Sequence, residues 1–141
     1  MSTETNKSTS RRFQEEFNNR DWAACARLLA PGFVTYQPGA PGPLNAEAFI
    51  QIGQMFAAAF PDLRVTIHDQ IAENDRVSTR LSFSGAHRAD FQGIPATGRV
   101  IDVNGVVIDR YVDDKIAEHW ALFDTMELMQ QLGVMPKPQA A

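Results

Sequence analysis

The sequence of 141 residues contains a single cysteine, Cys25, so no internal disulfide can form. This fits a reducing compartment and excludes the small, disulfide-dense secreted proteins. Basic residues are also sparse: thirteen Lys and Arg are scattered against seventeen Asp and Glu, and no basic run exceeds Arg11-Arg12. Such a distribution argues against a phosphate-binding surface, and therefore against nucleic acid as a partner.

Long apolar runs are missing as well. The longest strongly apolar stretch is MFAAAF (55–60), far shorter than the roughly 20 residues that span a bilayer. The N-terminal segment MSTETNKSTS is polar and has no apolar core of the kind that signal peptides carry. We therefore expect a cytoplasmic protein that does not interact with membranes.

Several motifs that indicate a cofactor site or a catalytic nucleophile are absent. The sequence has no glycine-rich dinucleotide loop, no phosphate-binding loop and no G-x-S-x-G. Its three histidines, His68, His87 and His119, lie far apart and show no metal-ligand spacing. Cys25 falls in the apolar stripe of a predicted helix, where a small buried thiol is the expected role. We predict neither a metal site nor a cofactor.

The composition predicts one soluble domain. Hydrophobic residues make up 44% and charged residues 21% of the chain, which is typical of globular proteins. We predict a disordered N-terminal arm over residues 1–8, a single domain over 9–134 and a flexible tail over 135–141.

Helices come first and strands follow. Apolar residues recur at helical spacing in 10–20, 21–30 and 46–60, and Ser10, Asp21 and Asn45 are placed to cap these segments. From Leu63 onward the pattern alternates, and turn residues separate the strands of an antiparallel meander. This order predicts an α+β fold in which helices cover one face of a curved sheet and a pocket lies between them.

Asp124 ends the last predicted strand and is the leading candidate for chemistry. Trp120 and Leu122 share its face of that strand. A carboxylate held among apolar side chains is desolvated and suited to proton transfer near neutral pH. The alternative is structural, because Asp124 and Glu127 have the spacing of a helix-capping box.

The register of the last hairpin decides which side chains join Asp124. A two-residue loop at Asp113-Asp114 would place Asp109 on its face, together with apolar residues. A three-residue loop would instead place a guanidinium, an amide and carboxylates there, and one residue of slip exchanges the two faces. The second set consists of Asp102, Asn104, Ile108, Arg110, Glu118 and Trp120. The sequence does not choose between the two registers. It also allows the charged residues to lie on the solvated outer face of the sheet.

Other polar or aromatic residues could line a pocket. Arg80 lies in mid-strand, His87 precedes a loop that carries Phe91, and Tyr36-Gln37 end the first strand. Each also has a structural alternative, as an outward charge, a solvated loop histidine or turn-flanking residues.

Three stretches occur in order and carry a family resemblance: AFPDLRVTI (59–67), SGAHRADFQGIPATGRVI (84–101) and RYVDDKIAEHWALFD (110–124). Together they resemble the SnoaL-like polyketide cyclase family of the nuclear transport factor two-like superfamily, from about Trp22 to Gly133. The resemblance implies a cone-shaped α+β barrel, in which a strongly curved, antiparallel or mixed sheet wraps three to four helices. It also implies a homo-oligomer, a dimer or tetramer, formed through the sheet.

The resemblance further implies an enzyme that closes a ring in a polyketide-like small molecule by intramolecular aldol condensation, without a cofactor. The acid/base of such cyclases is the aspartate that ends the last strand, which falls on Asp124. A histidine on the preceding strand assists it in relatives, and we align Arg110 there. Arg110 or Asn104 would stabilise the oxyanion, and Trp120, Leu122 and Phe91 would hold the apolar part of the substrate.

Two other functions remain open. Epoxide hydrolysis on the same barrel would need an Asp–Arg–Asp set, such as Arg110 with Asp102 and a further carboxylate. A non-catalytic ligand-binding or dimerisation module would need only the pocket or the sheet.

Overall fold

A computed structural model describes residues 2–136, which form four helices and one six-stranded sheet. The helices are α1 Thr3–Asn18, α2 Trp22–Arg27, α3 Ala46–Ala59 and α4 Thr125–Leu132. The strands are β1 Leu29–Tyr36, β2 Leu44–Asn45, β3 Arg64–Glu73, β4 Arg76–Ala86, β5 Val100–Val112 and β6 Lys115–Phe123. The predicted α+β fold is confirmed. Within the described part, none of the helices has the length and apolar character needed to cross a membrane.

The sheet has the strand order β2-β1-β6-β5-β4-β3. β1 pairs with β6 in parallel, and every other neighbouring pair is antiparallel. Along β5 the residues alternate between buried and exposed, with Ile101, Val103 and Val107 in the core. This period of two shows that one face of the sheet packs inside the domain while the other faces outward.

The first helix begins earlier than the sequence predicted. Ser2 caps α1 by accepting a hydrogen bond from the Thr5 backbone N–H at 3.0 Å. Asn6 and Ser10 are buried on the side of α1 that faces the sheet. The arm predicted as disordered over 1–8 is helical from Thr3 onward, because this polar segment has its own cap and a buried face. Of the predicted tail, residues 137–141 lie outside the described part of the chain.

The last hairpin combines a two-residue turn with a bulge. Asp113 and Asp114 both have positive φ, as a tight hairpin turn requires, and Val112 faces Lys115. The register then shifts by one residue, so that Arg110 pairs with Glu118 and Asp109 pairs with His119. Ala117 is the extra residue of this bulge. The bulge exchanges the faces of β6 relative to a regular two-residue hairpin, which turns His119 inward and Trp120 outward.

Alkaline pH should destabilise the fold through Cys25. Burial, with the nearby charges of Glu16 and Asp21, raises the pKa of this thiol from 9.0 to about 12. Above pH 9 the unfolded chain loses a proton that the folded chain retains, so the free energy of unfolding falls as pH rises. The expected slope approaches about 1.4 kcal/mol per pH unit. Burial, and then the Asp109 charge, also raise the pKa of the Tyr111 phenol, which adds to the loss at higher pH.

Urea titrations at pH 8, 9 and 10 test this expectation. Cys25→Ala lowers stability at every pH by opening a small cavity, but it should flatten the decline between pH 9 and 10. An equally steep decline in wild type and variant contradicts the assignment to Cys25.

Candidate active site

A passage lined by apolar side chains enters the domain between the sheet and the helices. Its inner part has a volume of about 100 Å³ and lies between α1, α2, α3 and the inner face of the sheet. Its outer part, of about 380 Å³, lies between residues 37–40, α3, the Phe91-Gln92 loop and α4. The two parts share five lining residues, which are Gln37, Ile52, Phe56, Phe83 and Phe123. The two parts are therefore adjacent and share one wall of side chains.

Aromatic rings form most of the inner wall. Phe17 and Trp22 meet edge to face with their centroids 5.4 Å apart, and Phe83 and Phe123 do so at 5.2 Å. Gly53 of α3 permits this packing, because a Cβ there would lie 3.1 Å from both Phe17 and Trp22. Such walls favour flat, apolar ligands.

Few polar side chains interrupt these walls. Among the described residues that line the inner part, polar atoms are carried by Gln14, Trp22, Cys25, Gln37 and His119. Cys25 is buried and its raised pKa keeps it as a neutral thiol. His119 is the one imidazole in this set, and it therefore determines what acid/base chemistry the passage can support.

His119 and Asp109 form a buried pair at the inner end of the passage. The Nδ1 atom of His119 lies 2.5 Å from Oδ1 of Asp109, and their side chains are only 7% and 4% exposed. The ring of Phe49 packs against the imidazole at a centroid distance of 4.9 Å. Because a carboxylate only accepts hydrogen bonds, Nδ1 carries the proton in this pair. Nε2 has no protein partner in the described chain and is the nitrogen available to a ligand.

The pairing gives His119 the properties of a general base. The carboxylate of Asp109 fixes the tautomer and the orientation of the ring, and it stabilises the imidazolium that forms when Nε2 takes a proton. The surrounding aromatic side chains exclude water, which strengthens this electrostatic interaction. The arrangement can therefore remove a proton from a ligand and return it.

Asp124 lies outside this passage. Its carboxylate is exposed and accepts a hydrogen bond from the Glu127 backbone N–H at 3.0 Å, so it caps α4. The expectation that it faces a half-dry pocket is corrected. β6 ends at Phe123, whose ring lines both parts of the passage, and the next residue already begins the helix.

The set expected around Arg110 does assemble, but on the outer face of the sheet. Arg110 Nε lies 2.5 Å from Glu118 Oε1, and Trp120 stacks on Tyr36 with centroids 5.6 Å apart. The guanidinium of Arg76 lies over the Trp120 ring at 5.4 Å. The bulge at Ala117 explains why the set assembles, because it turns Glu118 and Trp120 of β6 onto the outer face that Arg110 of β5 already occupies. Asn104, Asp102 and Leu122 are exposed on the same face.

The remaining candidates divide between surface, core and passage. Arg80 is exposed and forms an ion pair with Asp69 at 3.0 Å. His87 is fully buried, and its Nδ1 accepts a hydrogen bond from the Thr97 backbone N–H at 3.2 Å. Phe91 is buried and lines the outer part of the passage, and Gln37 lines both parts. Only Gln37 and Phe91 of the sequence candidates thus contact the passage in the described structure.

No metal centre is formed by the part of the chain covering residues 2–136, since no three His, Cys, Asp or Glu side chains cluster there. A metal site in a protein needs such a cluster, usually of three or four side chains.

Comparison with known proteins agrees with the resemblance seen in the sequence. The family described as SnoaL-like polyketide cyclase matches residues 7–132. Aklanonic acid methyl ester cyclase DnrD of Streptomyces peucetius is 31% identical over 106 residues, which cover 74% of this chain and 71% of that protein.

Solved structures extend the comparison to the fold. IdmH, a proposed polyketide cyclase from Streptomyces antibioticus, is 32% identical with a TM-score of 0.83, covering 92% of this chain and 99% of that one. AclR, a proposed hydroxylase from Streptomyces galilaeus, is 25% identical with a TM-score of 0.89, covering 98% and 87%. The fold, the order of the motifs and the family match agree, and the chain belongs to the SnoaL-like polyketide cyclase family.

Proposed function

We propose that this protein closes a ring in a polyketide-like substrate by an intramolecular aldol reaction, with His119 as the acid/base. The observation that carries the proposal is the buried Asp109–His119 pair, which leaves Nε2 free at the inner end of an apolar passage. The name of the relative DnrD, aklanonic acid methyl ester cyclase, supports the same reaction class.

The reaction balances without any further reactant. Nε2 of His119 removes a proton from a carbon next to a carbonyl group, and the C–H electron pair becomes an enolate. The enolate carbon attacks a second carbonyl carbon of the same molecule, which forms a C–C bond and leaves an alkoxide. The imidazolium returns the proton to the alkoxide, so the product is an isomer of the substrate.

The shape of the passage favours this chemistry. A flat, largely apolar molecule held between aromatic walls keeps its two carbonyl groups close together, and such positioning can supply several kcal/mol of the barrier. The outer part, at about 380 Å³, falls in the size range of small-molecule sites.

Incubation with aklanonic acid methyl ester tests the proposal. We expect a product of unchanged mass with altered chromatographic retention, formed by wild type and by Asp124→Asn, but not by His119→Gln. Binding of this ester without conversion by wild type contradicts the aldol proposal and favours a ligand-binding module.

The set needed for epoxide hydrolysis receives no support. Arg110 pairs with Glu118 on the outer face, and Asp102 is exposed there. Neither residue lines the passage, so these two side chains cannot hold a water molecule inside it.

We also propose that a second copy of the chain covers the outer face of the sheet. No helix of the described structure lies on that face. Four apolar side chains on it are 39–73% exposed, namely Val106, Ile108, Val112 and Leu122. Exposed apolar patches of this kind mark interaction sites. The five long strands have 8 to 13 residues each. At a spacing of about 4.8 Å they span on the order of 600 Å², which approaches the roughly 800 Å² per partner of a stable interface. The face carries charges of both signs, such as Arg110 and Glu118, so it can complement itself.

Leu122→Glu should therefore convert a dimer into a monomer. The side chain is 73% exposed, so the substitution leaves folding intact while it places a charge in an apolar part of the proposed interface, where burying it is costly. Light scattering coupled to gel filtration measures the mass, and Met126→Glu on α4 is the matched control, since Met126 is also exposed. A monomeric wild type, or equal masses for the two variants, contradicts the proposed interface.

A further inference from the structure

We propose that Gln14 is a further catalytic residue, whose side-chain amide donates a hydrogen bond to the carbonyl oxygen that becomes an enolate. This inference rests on the proposed aldol reaction. It assigns the oxyanion-stabilising role, which the sequence had given to Arg110 or Asn104, to a residue inside the passage.

The chemistry of the inner part requires such a donor. When His119 removes a proton from carbon, negative charge collects on the adjacent carbonyl oxygen. No Lys or Arg side chain of the described residues lines the inner part, so no cation is available to neutralise that charge. In an apolar medium an unpaired anion is strongly disfavoured, and a neutral N–H donor is the remaining means of stabilising it.

Three residues lining the inner part could donate an N–H besides His119: Gln14, Trp22 and Gln37. Gln37 commits one of its two N–H donors and the orientation of its amide to Thr35, since Nε2 donates to Thr35 Oγ1 at 2.8 Å. Gln14 is half-buried and forms no side-chain hydrogen bond to any residue that the structure describes. Its amide offers two N–H donors, whereas the indole of Trp22 offers one and lies edge to face against Phe17.

Gln14 lines the same inner part of the passage as the base, and the two residues come from different elements. Gln14 projects from α1 between Phe13 and Phe17, which also line the inner part, while His119 projects from β6. Because both side chains line this part of the passage, we place a carbonyl group and its neighbouring carbon between them. The carbon would face Nε2 of His119 and the oxygen would face Gln14.

Gln14→Leu tests the proposal, because leucine keeps most of the volume and removes both donors. We expect kcat for ring closure of aklanonic acid methyl ester to fall about 10²–10³-fold, as when one oxyanion donor is lost, with KM changed by less than about threefold. Gln54→Leu is the matched control, since Gln54 is exposed on α3 and should leave kcat unchanged. Gln14→Met provides a second apolar replacement, and thermal unfolding confirms that each variant is folded.

A binding readout separates this role from a merely structural one. The anion of 4-nitrophenol is flat and negatively charged on oxygen, like an enolate, and it is the main form at pH 8, while 4-nitroanisole is its neutral counterpart. Gln14→Leu should lose at least about tenfold in affinity for the anion, with the affinity for the neutral compound changed by less than about twofold.

The outcomes distinguish the two proposals. If His119→Gln cyclises normally, the aldol proposal fails, and this inference fails with it. If His119 is required but Gln14→Leu retains kcat and anion affinity, only the role of Gln14 is overturned. A selective loss of anion affinity in Trp22→Phe, with none in Gln14→Leu, also overturns it and transfers the role to the indole.

Discussion

His119→Gln should lower the rate constant of ring closure by about 10²–10⁴-fold, the usual contribution of a positioned general base. Glutamine can still donate a hydrogen bond to Asp109, so the buried carboxylate keeps a partner and the fold is retained. What is lost is the nitrogen lone pair of Nε2, and no other basic group of the described residues lines the inner part of the passage. Single-turnover rates, measured with a saturating excess of enzyme over the ester, isolate this chemical step.

Asp124→Asn is the matched control for this prediction. Asparagine caps helices about as well as aspartate, so α4 should keep its N-terminus and the protein its stability. Because the Asp124 carboxylate is exposed and bonded to the helix backbone, we expect the rate to stay within about twofold of wild type. A rate that falls with Asp124→Asn and persists with His119→Gln would return the catalytic role to Asp124.

Asp109→Asn should lower kcat by about 10³–10⁴-fold, a loss comparable to that expected for His119→Gln. An amide can donate its N–H to Nδ1, which favours the imidazole tautomer that carries its proton on Nε2. That tautomer presents a donor to the substrate where an acceptor is needed. The substituted pair also no longer stabilises the imidazolium, so proton removal becomes harder for a second reason. KM should change little, since Asp109 does not line the passage among the described residues.

Asp102→Asn supplies the comparison for this variant, because Asp102 lies on the same strand but is exposed on its outer face. The tautomer itself is observable, since the nitrogen chemical shifts of His119 differ between the two forms. The assignment is contradicted if Asp109→Asn turns over at the rate of Asp102→Asn, or if its His119 keeps the wild-type tautomer.

The fold could be predicted because its signals are local. Asn45 caps α3 by accepting from the Ala48 backbone N–H at 2.9 Å, and Gly133 ends α4 in the left-handed conformation. Asp113 and Asp114 form the predicted turn. Each signal depends on a few adjacent residues, so no knowledge of the tertiary structure was needed to interpret it. The start of α1 was missed because polar residues such as Asn6 and Ser10 look solvated until the sheet that buries them is known.

The site could not be predicted in the same way, because it depends on one extra residue in β6. The bulge at Ala117 decides whether His119 or Trp120 faces the core, and no residue type marks its position. A useful signal did exist in β5. Asp109 continues the apolar alternation of Val103 and Val107, and a lone carboxylate in such a series indicates a buried, paired charge.

The resemblance implied a carboxylate and an imidazole, and the structure forms such a pair with the two groups on exchanged strands. It implied an aspartate on the last strand and a histidine on the preceding one, whereas here His119 lies on β6 and Asp109 on β5. The two residues pair directly across the hairpin, so exchanging them preserves a carboxylate–imidazole contact. It reverses which group our account assigns as the base.

Hydrogen–deuterium exchange at the acidic carbon of a substrate analogue that lacks the accepting carbonyl tests this account most directly. The analogue undergoes proton removal but not ring closure, and NMR in D₂O follows the loss of its C–H signal. We predict rapid exchange with wild type and Asp124→Asn, and exchange at the buffer rate with His119→Gln. Exchange at the wild-type rate with His119→Gln would contradict the account.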